Sequence, residues 1–269
     1  MTKIAYCAGH GRYTAGKRTP DDEREWVFND KVVRAMEAEL NTYEGIQLLR
    51  TDDPTGKTDV PLNTRTNKAN KWGADLYVSV HHNANTGGWG TWTGVETFTN
   101  LGSNPKSERL ARCVHPRIVK AMGLRDRGVK KKNLHIVRET KMPAILTEGG
   151  YMDSTVDIAK LRSDAHLKAQ GVAIAQGIAE YAGLKKKAGA VTKPATVTEG
   201  AYRVYTGMFE SDKEAEKQAK LIGAKLGYKP FPKDKRVWTG VFNTLESAIA
   251  AQQNISREFG FNPQIRQEE

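Results

Sequence analysis

Cysteine is scarce in this chain. Its 269 residues include two, Cys7 and Cys113, far apart and outside any CxxC pattern. That argues against a disulfide framework and against a cysteine-rich structural zinc site. Long apolar runs are missing as well. No stretch approaches the roughly 18 apolar residues of a membrane span. The N-terminus lacks a basic region followed by an apolar core of about 7–15 residues, so no signal peptide is expected and synthesis in the cytoplasm is. Aromatic residues make up only 8%.

What is present describes a soluble globular protein, with 38% apolar and 27% charged residues. The length suits one large domain or two modest ones. A net charge of +11 favours polyanionic partners. The excess is spread along the chain, densest in the Lys130–Lys132 and Lys185–Lys187 runs. It reads as solvated surface before it reads as a nucleic-acid patch. An anionic cell-wall polymer or membrane surface fits the same charge.

The segment KKKAGAVTKPATVTEG, Lys185 to Gly200, has no apolar periodicity and reads as a linker between residues 1–184 and 201–269. Beyond it lies an internal repeat. "YRVYTGMF" from Tyr202 matches "KRVWTGVF" from Lys235 at an offset of 33 residues, and "LGYKP" meets "FGFNP" at the same offset. Each unit reads strand, helix, strand, which predicts a small α+β domain of βαβ–βαβ, ferredoxin-like type with one shared four-stranded sheet. Residues 1–184 alternate differently. Apolar strand-like runs at Lys3–Cys7, Gly45–Arg50, Leu76–His81, Val95–Thr99, Leu134–Val137 and Ala144–Thr147 are interleaved with helical patterns at Asp21–Leu40, Leu62–Trp72, Ser107–Met122 and His166–Ala182. This predicts an α/β domain with a mostly parallel twisted sheet covered by helices on both faces. Active groups in such sheets usually sit at the carboxyl ends of strands.

Three runs end in ionisable residues where a strand should stop: IAYCAGHG at His10, LYVSVHHNAN at His81 and His82, and PAILTEGG at Glu148. A metal site needs a further ligand, and TPDDEREWVFND supplies carboxylates. Thr19, Pro20 and Asp22 resemble the N-cap, N1 and N3 of a helix, which leaves Asp22 and Glu23 the role of complementing its dipole. Glu25, one turn further in, shares a face with Asn29, Val32 and Met36 and is the better ligand candidate. His82 would point to the opposite face from His81. His115 and His166 read as surface helix positions, and His135 as a structural residue in a strand. Glu96, in GVETFTN, is compatible with supporting a neighbour or facing substrate.

The order of these elements resembles the zinc-dependent N-acetylmuramoyl-L-alanine amidases of bacteria and their phages. The turn at Ala8–Gly11, the helix glutamate Glu25, Ser79–Asn83, Gly94–Glu96, Arg127–Lys130 and Glu148–Tyr151 carry the resemblance over residues 1–183. It implies Zn2+ bound by His10, Glu25 and His81, with Glu148 as catalytic acid/base. Cys7 stands where that family commonly has aspartate and Ala8 where it has proline, which puts the support of His10 in doubt. The C-terminal repeat resembles SPOR domains, which bind peptidoglycan. Tyr205 and Trp238 would there either pack into the core or meet ligand rings. The expected function is hydrolysis of the amide between the lactyl group of N-acetylmuramic acid and L-alanine by a monomer. Peptidoglycan is its partner, nucleic acid is not, and no membrane span is used. Without a signal peptide it would reach the wall as a phage endolysin or on mother-cell lysis. A zinc peptidase of related layout, a non-catalytic wall-binding protein and a nucleic-acid-binding protein are the alternatives.

Overall fold

Alternation along the first strand sets the architecture. In β1 (Thr2–Ala8), Ile4, Tyr6 and Ala8 join one apolar cluster, while Ala5 and Cys7 join another on the opposite face. A strand buried on both faces belongs to the middle of a layered α/β unit. The computed structural model describes residues 1–187, 199–261 and 263–268. The chain forms two compact units, Met1–Ala190 and Val191–Glu269.

The first unit continues through α1 (Glu25–Leu40), β2 (Ile46–Arg50), α2 (Leu62–Trp72), β3 (Leu76–Asn83), β4 (Val95–Thr99) and α3 (Pro105–Met122). It ends with β5 (Asp126–Lys131), α4 (His135–Glu139), β6 (Ala144–Tyr151), α5 (Ile158–Leu161) and α6 (Asp164–Ala182). The sheet order is β2-β1-β3-β6-β4-β5. The first four strands are mutually parallel; β4 runs antiparallel to β6 and carries β5 parallel to itself. Helices α1, α3 and α6 cover one face, where Val32, Met36, Ile118 and Ile174 pack on Ile4, Val78 and Ile145. The smaller α2 and α4 cover the other, with Ala69, Ile136 and Val137 over Ala5, Tyr77 and Leu146. This is the expected mixed α/β unit with a mostly parallel sheet.

Four local expectations are corrected. Helix α1 starts at Glu25 and not at Asp21, because Thr19–Glu23 closes a tight turn. The Thr19 N–H donates to the Glu23 carbonyl, the Asp22 N–H to the Thr19 carbonyl and the Glu23 N–H to the Thr19 hydroxyl, and Asp22 takes φ 75°. Leu134–Val137 is no strand; Ile136 and Val137 lie on the inner side of the short helix α4, and the brief alternation that suggested a strand spans only four residues. Strand β5 goes unpredicted because it is a charged edge strand, DRGVKK, without the apolar run that marks a buried one. Residues Lys185–Lys187, expected as linker, are fastened to the first unit: the Lys187 N–H donates to the Thr42 carbonyl, and Lys186 pairs with Glu39 and lies over Tyr43. Residues 188–198 of that linker lie outside the described residues, and its last two, Glu199 and Gly200, already belong to a strand of the second unit.

The second unit contains β7 (Glu199–Tyr205), α7 (Asp212–Leu226), β8 (Phe231–Lys233), β9 (Arg236–Trp238), β10 (Phe242–Thr244), α8 (Leu245–Phe259) and β11 (Gln264–Glu268). Central β7 pairs with β11 on one side and with β9 and β10 on the other, and β8 flanks β9. At the 33-residue offset β9 corresponds to the end of β7, and β10 resumes the pairing with β7 after an interruption at Thr239–Val241. The repeat becomes a reciprocal hydrogen-bond pair at Thr206 and Thr239, its equivalent positions. Thr206 N–H donates to the Val237 carbonyl at 2.9 Å and Thr239 N–H to the Val204 carbonyl at 2.8 Å. Each hydroxyl oxygen accepts the partner valine's N–H at 2.9 Å. All four residues are buried, so each hydroxyl satisfies an amide that water cannot reach. Thr239→Val should lower the local opening free energy at the Val204 amide by about 1–3 kcal/mol. Amide hydrogen exchange on the full chain checks this, and unchanged protection at Val204 would contradict it.

Candidate active site

The end of β1 is shaped to bring two histidines together. A Cβ on Gly9 would stand 2.1 Å from the Cε1 of His81, so only glycine allows the β3 histidine to lie against this turn. His10 follows with φ 64°, the left-handed region that non-glycine residues rarely occupy. The backbone is held there by Arg65, a fully buried cation on α2. Its Nη1 donates to the Ala8 carbonyl at 2.8 Å and its Nη2 to the His10 carbonyl at 2.9 Å. From the opposite face, Asn29 Nδ2 donates to the Gly9 carbonyl at 3.2 Å.

Glu25 is the first residue of α1, where the N-terminal end of the helix dipole favours negative charge. Its Oε2 lies 3.3 Å from His10 Nε2 and its Oε1 2.9 Å from His81 Nδ1. One nitrogen or oxygen from each of the three residues falls within 4.8 Å of the others, a set able to hold a metal ion. Burial opposes ionisation of Glu25, but hydrogen bonds from His10 and His81 hold its carboxyl well below the usual carboxylate range. Burial pushes His81 below the ordinary histidine value. The other ring nitrogen of His81, Nε2, lies 3.1 Å from Ser79 Oγ, and Ser79 Oγ lies 3.2 Å from Cys7 Sγ. Cys7 therefore supports His81 through Ser79 and has no bond to His10. A cavity of about 220 Å³ opens on His10, His81, Cys7, Ser79 and Arg65.

His82 points to the other face of the sheet, as its position in the strand predicts. It is buried, with Nδ1 2.8 Å from Asn29 Oδ1 and Nε2 3.1 Å from Gln170 Oε1. Burial pushes its pKa down to about 4, so the ring is neutral. Asn29 uses both of its Nδ2 protons, on the Gly9 carbonyl and on Glu25 Oε1. Its Oδ1 is left as an acceptor, which places the His82 proton on Nδ1 and calls for the Gln170 amide to present its nitrogen, otherwise buried without a partner, to His82 Nε2. The His82 N–H also donates to Glu25 Oε1. Glu25 is thus fixed from behind by two neutral groups.

Glu148 stands directly beside His81 in the β3–β6 register and directly opposite Glu96 in the β6–β4 register. Its Oε2 is shut off from solvent and has no hydrogen-bond partner among the described residues. Burial first, then the nearby Glu25 and Glu96 carboxylates, raises Glu148 well above the usual range. Glu96 is shifted the other way despite its own burial. Its Oε1 accepts from Arg127 Nε at 2.7 Å and from Lys130 Nζ at 2.6 Å, and its Oε2 from Asn83 Nδ2 at 3.2 Å. Two adjacent carboxyls are thereby shifted in opposite directions, an arrangement suited to one of them handling a proton.

The structure brings together His10, Glu25, His81 and Glu148. It separates the remaining candidates. His115 is not a surface residue: buried on α3, it bridges Thr97 Oγ1 at 3.0 Å and Asp126 Oδ1 at 2.8 Å, tying β4 to the start of β5. His135 sits on helix α4, 3.4 Å from Thr66 Oγ1, and His166 is half-exposed beside Ser163 and Lys160. In the second unit, Tyr205 and Trp238 are cross-strand neighbours. Their rings stack at 4.7 Å and 22°, half-buried and outside that unit's fully buried core, with Arg236 over Tyr205. Arg65 and Asn29 carry roles that sequence reading missed. Arg65 looks like one more charge on a polar helix. Asn29 was visible only as a neighbour of Glu25 on the helix face.

Residues 4–180 match the family model described as N-acetylmuramoyl-L-alanine amidase. The chain is 36% identical over 171 residues to the N-acetylmuramoyl-L-alanine amidase CwlM of Bacillus licheniformis, covering 63% of this chain and 64% of the relative. It is 36% identical over 185 residues to the endolysin of Bacillus phage SPP1, covering 64% of this chain and 66% of that protein. The chain thus spans a little under two-thirds of the length of these curated relatives. Among solved structures, the catalytic domain of CwlV, an N-acetylmuramoyl-L-alanine amidase from Bacillus (Paenibacillus) polymyxa var. colistinus, superposes with a TM-score of 0.63 at 29% identity. That match covers 69% of this chain and all of the other. By its sequence over residues 4–180, the chain belongs to the N-acetylmuramoyl-L-alanine amidase family.

Proposed function

We propose that this protein is a zinc-dependent peptidoglycan hydrolase that cleaves the amide between the lactyl group of N-acetylmuramic acid and L-alanine. One observation carries the reading: a His–Glu–His donor set around the buried Glu25 adjoins Glu148, whose Oε2 is shut off from solvent and unpartnered among the described residues. The donor chemistry fits zinc. Two imidazoles and one carboxylate held ionised make three protein ligands, the number that leaves a catalytic zinc an open position. Bound there, zinc would supply Lewis acidity toward the scissile carbonyl and toward water. His10, Glu25 and His81 hold it, while Asn29, His82 and Ser79 keep those side chains oriented. Glu148, in the ionised form that the positive charge of bound zinc would favour, would then take the proton of the attacking water on Oε2 and return it to the departing L-alanine nitrogen, without which an amine leaves poorly. The Arg127 and Lys130 bonds keep Glu96 ionised, so the mobile proton belongs to Glu148.

For the second unit, the repeat and the strand arrangement around β7 support a ferredoxin-like, SPOR-type wall-binding domain. Residues 201–269 would form it, following a linker within 185–200. Its Tyr205–Trp238 face would meet the glycan. Tethered to the catalytic unit of residues 1–184, it would raise the local substrate concentration without adding a catalytic contact. Release by phage lysis or mother-cell lysis would bring it to the wall, the first in keeping with its likeness to a phage endolysin, and it would act as a monomer.

Glu148→Gln should reduce turnover on purified sacculi by about 10²–10⁴-fold while the zinc content per chain is unchanged. Wild-type turnover by this variant would remove Glu148 from the reaction. Complete chelation should abolish cleavage, and added zinc should restore it. Mass spectrometry of the wild-type digest should show new L-alanine amino termini and intact glycans; new termini elsewhere in the peptide would identify a peptidase. Trp238→Ala should weaken retention of the full chain on sacculi in a pull-down without changing its zinc content. Equal retention would remove this face from wall binding.

A further inference from the structure

Across the sheet, the chemistry is laid out in strand order. The His10 end of β1 and His81 on β3 come first, then Glu148 on β6, Glu96 at the start of β4, and Arg127 and Lys130 on β5 at the edge. His81, Glu148 and Glu96 share one face, because register places His81 beside Glu148 and Glu148 opposite Glu96. The two cations are built into this rim. Arg127 uses only Nε on Glu96, and its guanidinium lies over the Tyr151 ring at 5.4 Å. Its Nη1 and Nη2 make no further hydrogen bond or ion pair with the described residues, and Lys130 Nζ binds Glu96 alone. Both side chains are partly exposed, 31% and 41%, while Glu96 beneath them is buried. One buried carboxylate thus orients two cations and neutralises only one of their charges. The free edge of a fixed guanidinium is the geometry that takes a carboxylate through two parallel bonds.

We propose that Arg127 and Lys130 form a subsite for a free carboxylate on the peptide side of the scissile bond, the α-carboxylate of the residue after L-alanine. The inference rests on the hydrolase reading above, which fixes the direction. The acyl carbonyl lies at the donor triad and the leaving nitrogen at Glu148, so the departing peptide runs on over β4 toward β5. The distances agree. Adjacent strands are about 4.8 Å apart, which puts the cationic edge roughly 5–10 Å from Glu148. A second-residue carboxylate lies about 7 Å from the scissile nitrogen at some 3.5 Å per residue.

The test uses two N-acetylmuramoyl tripeptides, L-Ala-γ-D-Glu-L-Lys and L-Ala-γ-D-isoGln-L-Lys. They share the scissile amide and differ only in that carboxylate or its carboxamide. Wild-type full-length protein should cleave the carboxylate form with kcat/KM higher by about tenfold or more, chiefly through KM. Arg127→Gln should bring the ratio close to one, and Lys130→Gln should lower it by a smaller factor. Calorimetric titration of zinc-loaded Glu148→Gln protein with the two free tripeptides gives a second readout that needs neither turnover nor an altered Arg127. The carboxylate form should bind about tenfold tighter. Equal kcat/KM for the two substrates, or equal binding of the two products, would overturn the subsite while leaving the hydrolase reading intact. Cleavage of neither substrate, nor of sacculi, would count against the hydrolase reading, and the titration would still decide the subsite.

Discussion

The buried carboxylate of Glu25 is the constraint on which the rest of the first unit's active rim depends. An ionised group in a protein interior is very costly unless paired and hydrogen-bonded. Glu25 receives the Asn29 amide, the His82 N–H, the dipole at the start of α1 and the two imidazoles. Each donor has a structural condition attached. His10 reaches Oε2 only because its backbone accepts a left-handed conformation, which Arg65 and Asn29 pin through the neighbouring carbonyls. His81 reaches Oε1 only because position 9 has no Cβ. His82 donates from Nδ1 to Asn29 Oδ1, which leaves both Asn29 amide protons for Glu25 and the Gly9 carbonyl.

The cysteine in the opening CAGHG turn fits into the same network. Cys7, Ser79 and His81 form a chain in which thiol and hydroxyl can each donate or accept. When His81 Nδ1 carries the proton and donates to Glu25, its Nε2 accepts from Ser79. When Nδ1 presents a lone pair to a cation, as the proposed function requires, Nε2–H donates to the same oxygen. The hydroxyl and thiol turn to suit, and no heavy atom has to move. A carboxylate in place of Ser79 could only accept and would favour one tautomer. A thiol at position 7 is therefore compatible with the site, because it completes a hydrogen-bond chain and is not asked to balance charge.

How much of this was legible in the sequence follows from how local each signal is. The rim residues His10, His81 and Glu148 could be read because apolar runs lead into them, although β3 continues past His81 to Asn83 and β6 past Glu148 to Tyr151, beyond the expected stops. Helix α2 was delimited correctly by the pattern between Pro61 and Gly73. The start of α1 was misread because Thr-Pro-Asp-Asp has the composition of a helix cap, whereas Asp22 instead turns left-handed and folds the segment back on Arg18 and Arg24. His115 and Arg65 were misplaced for a shared reason. A charged or polar residue on a helix is read as solvated unless its partner is known, and their partners, Asp126 and the Ala8 and His10 carbonyls, come from elements distant in sequence. Strand β5 has no apolar signature at all, because an edge strand needs burial on neither side.

That edge explains why one half of the rim departs from the usual rule for parallel sheets. Functional groups gather at carboxyl ends of strands, and His10, His81 and Glu148 obey this. Strands β4 and β5 run the other way, so the same rim receives their beginnings, and Glu96 and Arg127 arrive there from residues near strand starts. The reversal has an electrostatic consequence. A parallel neighbour to β6 would bring its own carboxyl end, whereas the antiparallel β4 sets a glutamate side chain directly opposite Glu148. Two facing carboxylates repel, and the repulsion is relieved on one side only, because the cations of β5 reach Glu96. Strand direction, more than any single residue, assigns the proton to Glu148.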